Sequence, residues 1–582
     1  MQGTERLNMF NSKLPSKKEI NLAFASFSKK EGILFWVFVI IFFLSTLLIL
    51  EGINRYFMVT VPMKGGSTSL GIVGVPRFVN PVLANSQADL GLVALIYSGL
   101  MRKSGSGALI PDLASEYSKS ENGLIYTFTL KDNIYFQDGK PVTANDIMFT
   151  INKIKDGIIE SPQKVNWEGI TALMIDEKKI QFTLKQPYAY FLENTTLPIM
   201  PAHLWENSPI ELNERNTNPI GSGPYMIKTV NKQSSGIIDS YELVPFKKFI
   251  LGEPYIKNIN LHFYQNEDDL IKALLEKKVA EISSIAPQNA ENLKEKNYQI
   301  ESSVLPRIFG LFFNQNANQL FTDKAVVSAI NQAIDKEKIV RDVLLGYGVV
   351  IDGPIPPSAL PERTNATDDS REEILLKIQA DLSKAGWKKN AEGFLEKTTT
   401  QNKKKTVIPL QFSISTGNTP ELAKTALMIK DDLETLGMKV DVKTFEVGNL
   451  NQSVIRPRKY DVLLFGQIIN RKSDLFAFWH SGQRKDPGLN VAMYTNAKVD
   501  KILEEAFVTL DEGERMKKYA QFEEEIERDM PAVFLFSPNF IYTVSKNLKN
   551  FKMDHITTPA DRLLNAHLWY IQTENVWKIF AK

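Results

Sequence analysis

The hydrophobic pattern of the chain changes character once, near residue 50. Residues 32–50 (GILFWVFVIIFFLSTLLIL) carry no charge, are bracketed by Glu31 and Glu51, and are apolar on every side. As a helix these 19 residues span roughly 28 Å, close to the ~30 Å hydrocarbon core of a bilayer. The segment is apolar all round and no other segment approaches it, which favours a membrane span over a buried core helix. A cleaved signal peptide would have a shorter apolar run, about 7–15 residues, ending in a small-x-small site. Leu50-Glu51-Gly52-Ile53 offers no such site, so the run reads as an uncleaved signal anchor. Arg6, Lys13, Lys17, Lys18, Lys29 and Lys30 precede it, and only Arg55 and Lys64 follow closely. That asymmetry predicts a cytoplasmic tail over 1–31, one transmembrane helix over 32–50, a tether over 51–64 and an exported remainder.

After Gly65-Gly66 the pattern breaks into short elements. Tyr126-Thr127-Phe128-Thr129-Leu130 alternates apolar and polar positions, the period of a half-buried strand. A second run, Ile134-Tyr135-Phe136, follows the turn Lys131-Asp132-Asn133. Thr143 and Asp146 form a capping box for a helix with Ile147, Ile151 and Ile154 on one face. Phe321-Thr322-Asp323 opens a helix carrying Val326, Ile330 and Ile334, and Asp335 caps another that ends near Gly346. Between 406 and 466 the chain predicts a strand (407–415), a helix (420–436, stopped by Gly437) and strands at 438–442 and 460–465. Such alternation indicates a parallel or mixed sheet covered by helices. Amphipathic helices at 498–510 and 513–529 precede Pro531, and polar loops are expected at 361–372 and 388–405. No repeat of 20–50 residues is present.

Composition narrows the function. A chain of 582 residues exceeds one core and implies two or more domains. A net charge of +2 gives no support for a nucleic-acid-binding face. The absence of cysteine excludes disulfides, thiolate metal sites and the acylated cysteine of a lipoprotein. The P-loop, H-E-x-x-H, G-x-S-x-G and G-x-G-x-x-G motifs are all missing. The glycine-rich stretches at 65–67, 104–107 and 221–224 lack the lysine or helix context of a phosphate cradle and read as turns. His203, His262, His480, His555 and His567 are scattered, and no carboxylate pair stands out as a catalytic dyad. Neither a metal nor a cofactor is expected, and binding is favoured over catalysis.

An ordered series of motifs then identifies a family. It begins with Gly65-Gly66-Ser67, Val79-Asn80-Pro81-Val82-Leu83 and Leu95-Ile96-Tyr97-Ser98-Gly99-Leu100. Pro111-Asp112-Leu113-Ala114-Ser115-Glu116-Tyr117 follows, then residues 126–130 and Phe136-Gln137-Asp138-Gly139-Lys140-Pro141-Val142-Thr143-Ala144-Asn145-Asp146. Gly221-Ser222-Gly223-Pro224-Tyr225, Asn314, Ala333-Ile334-Asp335, Gly353-Pro354-Ile355-Pro356-Pro357 and Ala385-Gly386-Trp387 complete it. From about Gly65 to about Tyr570 the chain resembles family 5 of the bacterial extracellular solute-binding proteins, the oligopeptide- and dipeptide-binding group. The resemblance implies an α/β fold with two periplasmic-binding-protein-like lobes, preceded here by the transmembrane helix. Lobe one would take 65–305, with an extra subdomain at 106–218. Lobe two would take 306–533, and 534–582 would return to lobe one. The implied ligand is a peptide or similar small solute, and the implied partners are the permease subunits of an ABC importer, with ATP hydrolysed by a separate subunit.

One loop departs from the family. Peptide-binding members carry G-W-x-x-D-x-x-D-P, whose acidic residue can pair with the ligand's amino terminus. Here the loop is Gly466-Gln467-Ile468-Ile469-Asn470-Arg471-Lys472-Ser473-Asp474-Leu475. Gln467 replaces the Trp and Asn470 the first Asp; with one extra residue in the loop, Asp474 remains as the second Asp and Leu475 replaces the Pro. Phe476, Phe478, Trp479 and His480 follow as an aromatic cluster that would equally suit core packing. The expected ligand-binding residues are Asn80, Gln467, Asn470, Arg471, Asp474, Phe478 and Trp479. Asp474 would lie nearest a ligand amine, whereas Asn470, Arg471 and Lys472 suit a blocked amine or an anionic group. A ligand-sensing or scaffold protein without a permease is the alternative, and a surface hydrolase a more distant one.

Overall fold

The computed structural model describes residues 16–357, 370–401, 404–553 and 556–581; Arg6, Lys13, His555 and most of the loop expected at 361–372 lie outside them. Contacts divide the chain into one unit made of the N-terminal residues through Met63 with those from Gln572 onward, and another formed by Lys64–Ile571.

In the first unit, Ser28 and Glu31 form a capping box, with Ser28 N–H donating to Glu31 Oε2 at 2.9 Å. It starts the helix Lys29–Phe57, of which no residue is buried. The helix therefore runs two turns beyond the apolar run. Met58–Met63 then pairs antiparallel with Gln572–Trp577, from Met58 opposite Trp577 to Met63 opposite Gln572. The stretch expected as a tether is thus helix followed by a two-stranded ribbon. The final residues group with this ribbon and not with the segment 534–571 that precedes them.

The second unit is built on three larger sheets. In the five-stranded one, Ser67–Val73 lies between Glu281–Ile282 and Asn258–Tyr264, parallel to both, and Ile238–Pro245 and Tyr225–Lys232 extend it antiparallel. A four-stranded antiparallel sheet contains Ile125–Leu130, whose alternation buries Tyr126, Phe128 and Leu130. Thr143 N–H donates to Asp146 Oδ2 at 2.9 Å and starts the helix Ala144–Lys155, which buries Ile147, Ile151 and Ile154. The run at 134–136 makes a single bridge from Tyr135 to Pro141, because Gly139 at φ +88° turns the chain back at once.

The seven-stranded sheet has Arg307–Phe313 at its centre, flanked by Ala532–Val544 and Val462–Ile468. Successive side chains of Arg307–Phe313 point to opposite faces. Leu311 and Phe313 enter a core with Ile330, Ile414 and Ile429, and Phe312 enters another with Leu463, Trp479 and Phe522. The helices opened by Asp323 and Asp335 and the helix Pro420–Thr435 form where the caps predict. The strand expected over 407–415 is divided at Leu410. Pro409 has no N–H to continue the ladder, so Lys404–Pro409 pairs only with Leu395–Gln401, and Gln411–Gly417 starts afresh in the large sheet. With Trp387–Lys389 these strands form a small sheet where a loop at 388–405 is expected.

Ala532–Val544 ties the two largest sheets together. Its first half pairs with Arg307–Phe313 and its second with Gln299–Val304, and Tyr542 bridges to Ser283 beside the five-stranded sheet. At that junction Thr68 Oγ1 donates to the buried Glu281 carboxylate at 2.6 Å, and Tyr542 OH donates to its other oxygen. The buried Arg562 guanidinium lies 5.2 Å from the Tyr542 ring and attracts the same carboxylate. Burial raises the Glu281 pKa against these interactions. Glu281→Ala leaves the buried Thr68 and Tyr542 hydroxyls without their shared acceptor and lowers stability by about 1–3 kcal/mol; Glu281→Gln, which keeps the shape and an acceptor, costs less. Urea titrations followed by tryptophan fluorescence measure both, and equal losses would show that the carboxylate itself, not the space it fills, matters there.

Candidate functional site

A cavity of about 400 Å³ is walled by segments from all along the second unit. The helix Gln87–Ile96 supplies Leu90 and Val93. The hairpin formed by Met101–Lys103 and Leu109–Pro111 supplies Arg102, Lys103 and the following Asp112. The short turn Phe191–Asn194 adds Glu193 and Asn194, the loop after Val462–Ile468 adds Asn470, Arg471 and Asp474, and the C-terminal turns add Thr557 and Asp561. Behind one wall, Gly223 N–H donates to Ile96 O at 2.8 Å, and a Cβ on Gly221 or Gly223 would run into the Ile96 backbone. Only glycine permits that approach, which gives the Gly221-Ser222-Gly223-Pro224 turn its physical reason.

The loop residues are held by their own backbone. Arg471 N–H donates to Asp474 Oδ2 at 3.0 Å, closing the turn Lys472–Asp474 that leads into Leu475–Trp479. Burial raises the Asp474 pKa, and that hydrogen bond and the Arg471 charge oppose the rise. The Arg471 side chain crosses to the opposite wall. Its Nε lies 3.3 Å from Glu193 Oε2, and Nη1 donates to Asn194 Oδ1 and lies 3.5 Å from the Tyr188 hydroxyl. Burial raises the Glu193 pKa and Arg471 opposes it. Elsewhere on the wall Arg102 Nη1 donates to Asn565 Oδ1 at 2.5 Å and Lys103 Nζ to Thr557 Oγ1 at 2.9 Å. Asp561 accepts from Thr557 N–H at 2.8 Å. Charges of both signs thus line the cavity, with Leu90, Val93, Trp167 and Leu197 between them. Such a lining can hold a small molecule that carries both charged and apolar groups.

Three expected residues, Asn470, Arg471 and Asp474, come together here. Four do not. Asn80 is fully buried, with Nδ2 on Asn216 Oδ1 at 2.5 Å and Oδ1 accepting from the N–H groups of Val82 and Leu83, so its amide organises the chain. Its neighbours Pro81 and Ala84 reach the cavity instead. Trp479 is fully buried, its ring 5.9–6.3 Å from those of Phe312, Tyr494, Phe522 and Phe534, and Phe478 packs on the same core. Gln467 is buried on its strand, opposite Ile308, and both polar atoms of its amide lack a hydrogen-bond partner. Lys472 turns away, Nζ lying 2.9 Å from Met516 Sδ. Among the described residues no group of three or more His, Asp or Glu is placed to hold a metal ion.

Arg102, Lys103, Asp112, Glu193 and Asp561 are cavity residues that sequence reasoning missed. Asp112 stood inside the recognised Pro111-Asp112-Leu113 motif; the others carry no local signal. Asp112 is 5% exposed, its Oδ1 has no hydrogen-bond partner, and burial pushes its pKa up to about 6 despite Arg102 and Lys131. The native state therefore keeps a proton that the unfolded chain releases above its ordinary pKa of 3.8. Stability contributed by this group is full below 3.8 and is lost as pH rises through about 6, by about 1.4 kcal/mol per pH unit within that window. Asp112→Asn lacks this slope and gains on the parent chain between the two values, then levels off. Denaturant midpoints measured across that range check it, and parallel profiles would mean that Asp112 ionises normally.

Comparison with known proteins places this architecture. The sequence profile of "Bacterial extracellular solute-binding proteins, family 5 Middle" matches residues 108–488. The chain is 27% identical over 526 residues to the oligopeptide-binding protein AppA of Bacillus subtilis, covering 88% of this chain and 92% of that protein. It is 25% identical over 500 residues to the glutathione-binding protein GsiB of Escherichia coli K12, covering 81% and 89%. The structure of Bacillus subtilis AppA in complex with a nonapeptide matches with a TM-score of 0.67 at 25% identity, over 88% of this chain and all of that one (100%). NikZ from Campylobacter jejuni in complex with Ni(L-His) matches with a TM-score of 0.69 at 25% identity, over 87% and 99%. The α/β body thus has the periplasmic-binding-protein-like fold, and the chain belongs to family 5 of the bacterial extracellular solute-binding proteins.

Proposed function

We propose that this protein is a membrane-tethered, extracytoplasmic receptor that captures a peptide or similar small solute and delivers it to the permease of an ABC importer. The observation that carries the capture step is the cavity lined by charges of both signs, with Arg471 reaching across it to Glu193 and Asn194. Lobe one is taken as 65–305, holding the five-stranded sheet and, within 106–218, the four-stranded subdomain. Lobe two is taken as 306–533, holding most of the seven-stranded sheet. Ligand that prefers the closed state draws the lobes together, and the Arg471 contacts join the two sides in that state. The named relatives that bind oligopeptides and glutathione support a peptide-like ligand.

The anchor is supported by the helix Lys29–Phe57, long and apolar enough to cross a bilayer, with none of its residues buried. The lysines before it favour a cytoplasmic start. Protease added to cells stripped of any outer layer should digest the chain beyond about residue 57 and spare the tail; an exposed N-terminus reverses the topology.

Asn470 and Arg471 stand where peptide-binding members have an acidic start to the loop, and they suit a ligand whose amine is blocked or which carries an anion. N-acetylated short peptides should bind at least as well as their free forms, as read by native mass spectrometry of the full chain. Arg471→Ala should weaken the acetylated form by about ten- to a hundred-fold, the worth of a charge-assisted contact of roughly 1.5–3 kcal/mol. Asp474→Asn should weaken only peptides with a free amine. Equal affinities for both peptide forms in the parent chain and both variants would remove this loop from recognition.

A further inference from the structure

The strand Gln572–Trp577 meets the chain at the C-terminal end of the apolar helix. The ribbon brings Trp577 opposite Met58, and the Trp577 indole N–H donates to Asn54 Oδ1 at 2.7 Å, within the last turn of the helix. The Trp577 ring stacks on Phe57 with centroids 6.1 Å apart, and Lys578 Nζ lies 5.4 Å from the Tyr56 ring. Beyond it, Lys578–Phe580 makes one tight helical turn that leaves Ile579 77% and Phe580 72% exposed. Nothing in the described chain covers these two side chains, although they are among the most apolar residue types and follow directly on an ordered aromatic cluster.

We propose that Trp577–Phe580 is a second membrane contact, which lies in the headgroup layer beside the end of the helix and inserts Ile579 and Phe580 at the acyl boundary. The exposed apolar surface of this turn is continuous, through Trp577, Phe57 and Tyr56, with that of the helix, a placement that rests on the anchor proposed above. The composition is that of an interfacial contact. Trp and Tyr combine an apolar ring with a polar tip and concentrate where hydrocarbon meets water. Lys578 and Arg55 can extend their charges towards headgroups while their stems stay on the apolar side. The position in the chain matters as much: the strand that ends at Trp577 fixes the turn to the helix, so insertion needs no search by a free tail.

The absence of native cysteine allows the placement to be tested in the full chain. Single cysteines at Leu44, Leu173, Ile579 and Phe580 are spin-labelled and the protein is reconstituted into vesicles of equimolar phosphatidylcholine and phosphatidylglycerol. Leu44 reports the helix, and Leu173, exposed on a strand of the other unit, reports water. The labels at Ile579 and Phe580 are expected to be roughly tenfold less accessible to a water-soluble nickel chelate than the label at Leu173, and more accessible to oxygen, as for a group at the acyl boundary. Labels at 579 and 580 as accessible as that at 173, with 44 shielded, overturn the second contact while leaving the anchor standing. An unshielded label at 44 overturns the anchor and this contact with it. Shielding at 579 and 580 that comes with spin–spin broadening, and is lost on dilution with unlabelled chain, assigns the surface to a second copy and also overturns the lipid contact.

Discussion

The backbone hydrogen bonding of Ala532–Val544 is the constraint on which the second unit depends. One strand of 13 residues serves as the neighbour of Arg307–Phe313 and Gln299–Val304 in turn, and so links the seven-stranded sheet to the junction with the five-stranded one. The change of partner falls at Ser537-Pro538, where Pro538 has no N–H to give and the single Ser537 hydroxyl hydrogen is shared between the carbonyls of Leu305 and Arg307, which lie 2.7 and 2.6 Å from Oγ. A side chain thus takes over where the ladder pattern is interrupted.

The cavity obeys a second constraint, the cost of burying charge. Carboxylates at Asp112, Glu193 and Asp474 are all pushed towards protonation by burial, and each is opposed by an arginine. None is a strong surface-type ion pair, and Asp112 retains an oxygen without a partner.

Local features were legible in the sequence. The capping box at Thr143, the caps at Asp323 and Asp335, and the helix ended by Gly437 are decided within a few residues, so pattern alone found them. The small sheet around 387–409 was missed because it alternates weakly and is rich in lysine and threonine, which read as loop when no buried face disciplines them. The loop after residue 466 shows the limit more sharply. Arg471 and Trp479 lie within nine positions, yet one crosses the cavity and the other fills a core, and the difference is set by a turn closed by Asp474 and by four aromatic residues from other elements. Arg102, Glu193 and Asp561 meet only through the tertiary fold, which no spacing rule encodes.

The ribbon also fixes an order of events. Thr60 and Asn575, whose side chains meet at 2.8 Å, are separated by 515 positions, and the first is made long before its partner leaves the ribosome. Met58–Met63 must therefore remain single, with its edge unpaired, while the whole of the intervening body is synthesised and folds. The ribbon is therefore the last part of its unit to be completed, and it forms only once Gln572–Trp577 has been made. Loss of that strand would leave Met58–Met63, far away in the sequence, without its partner.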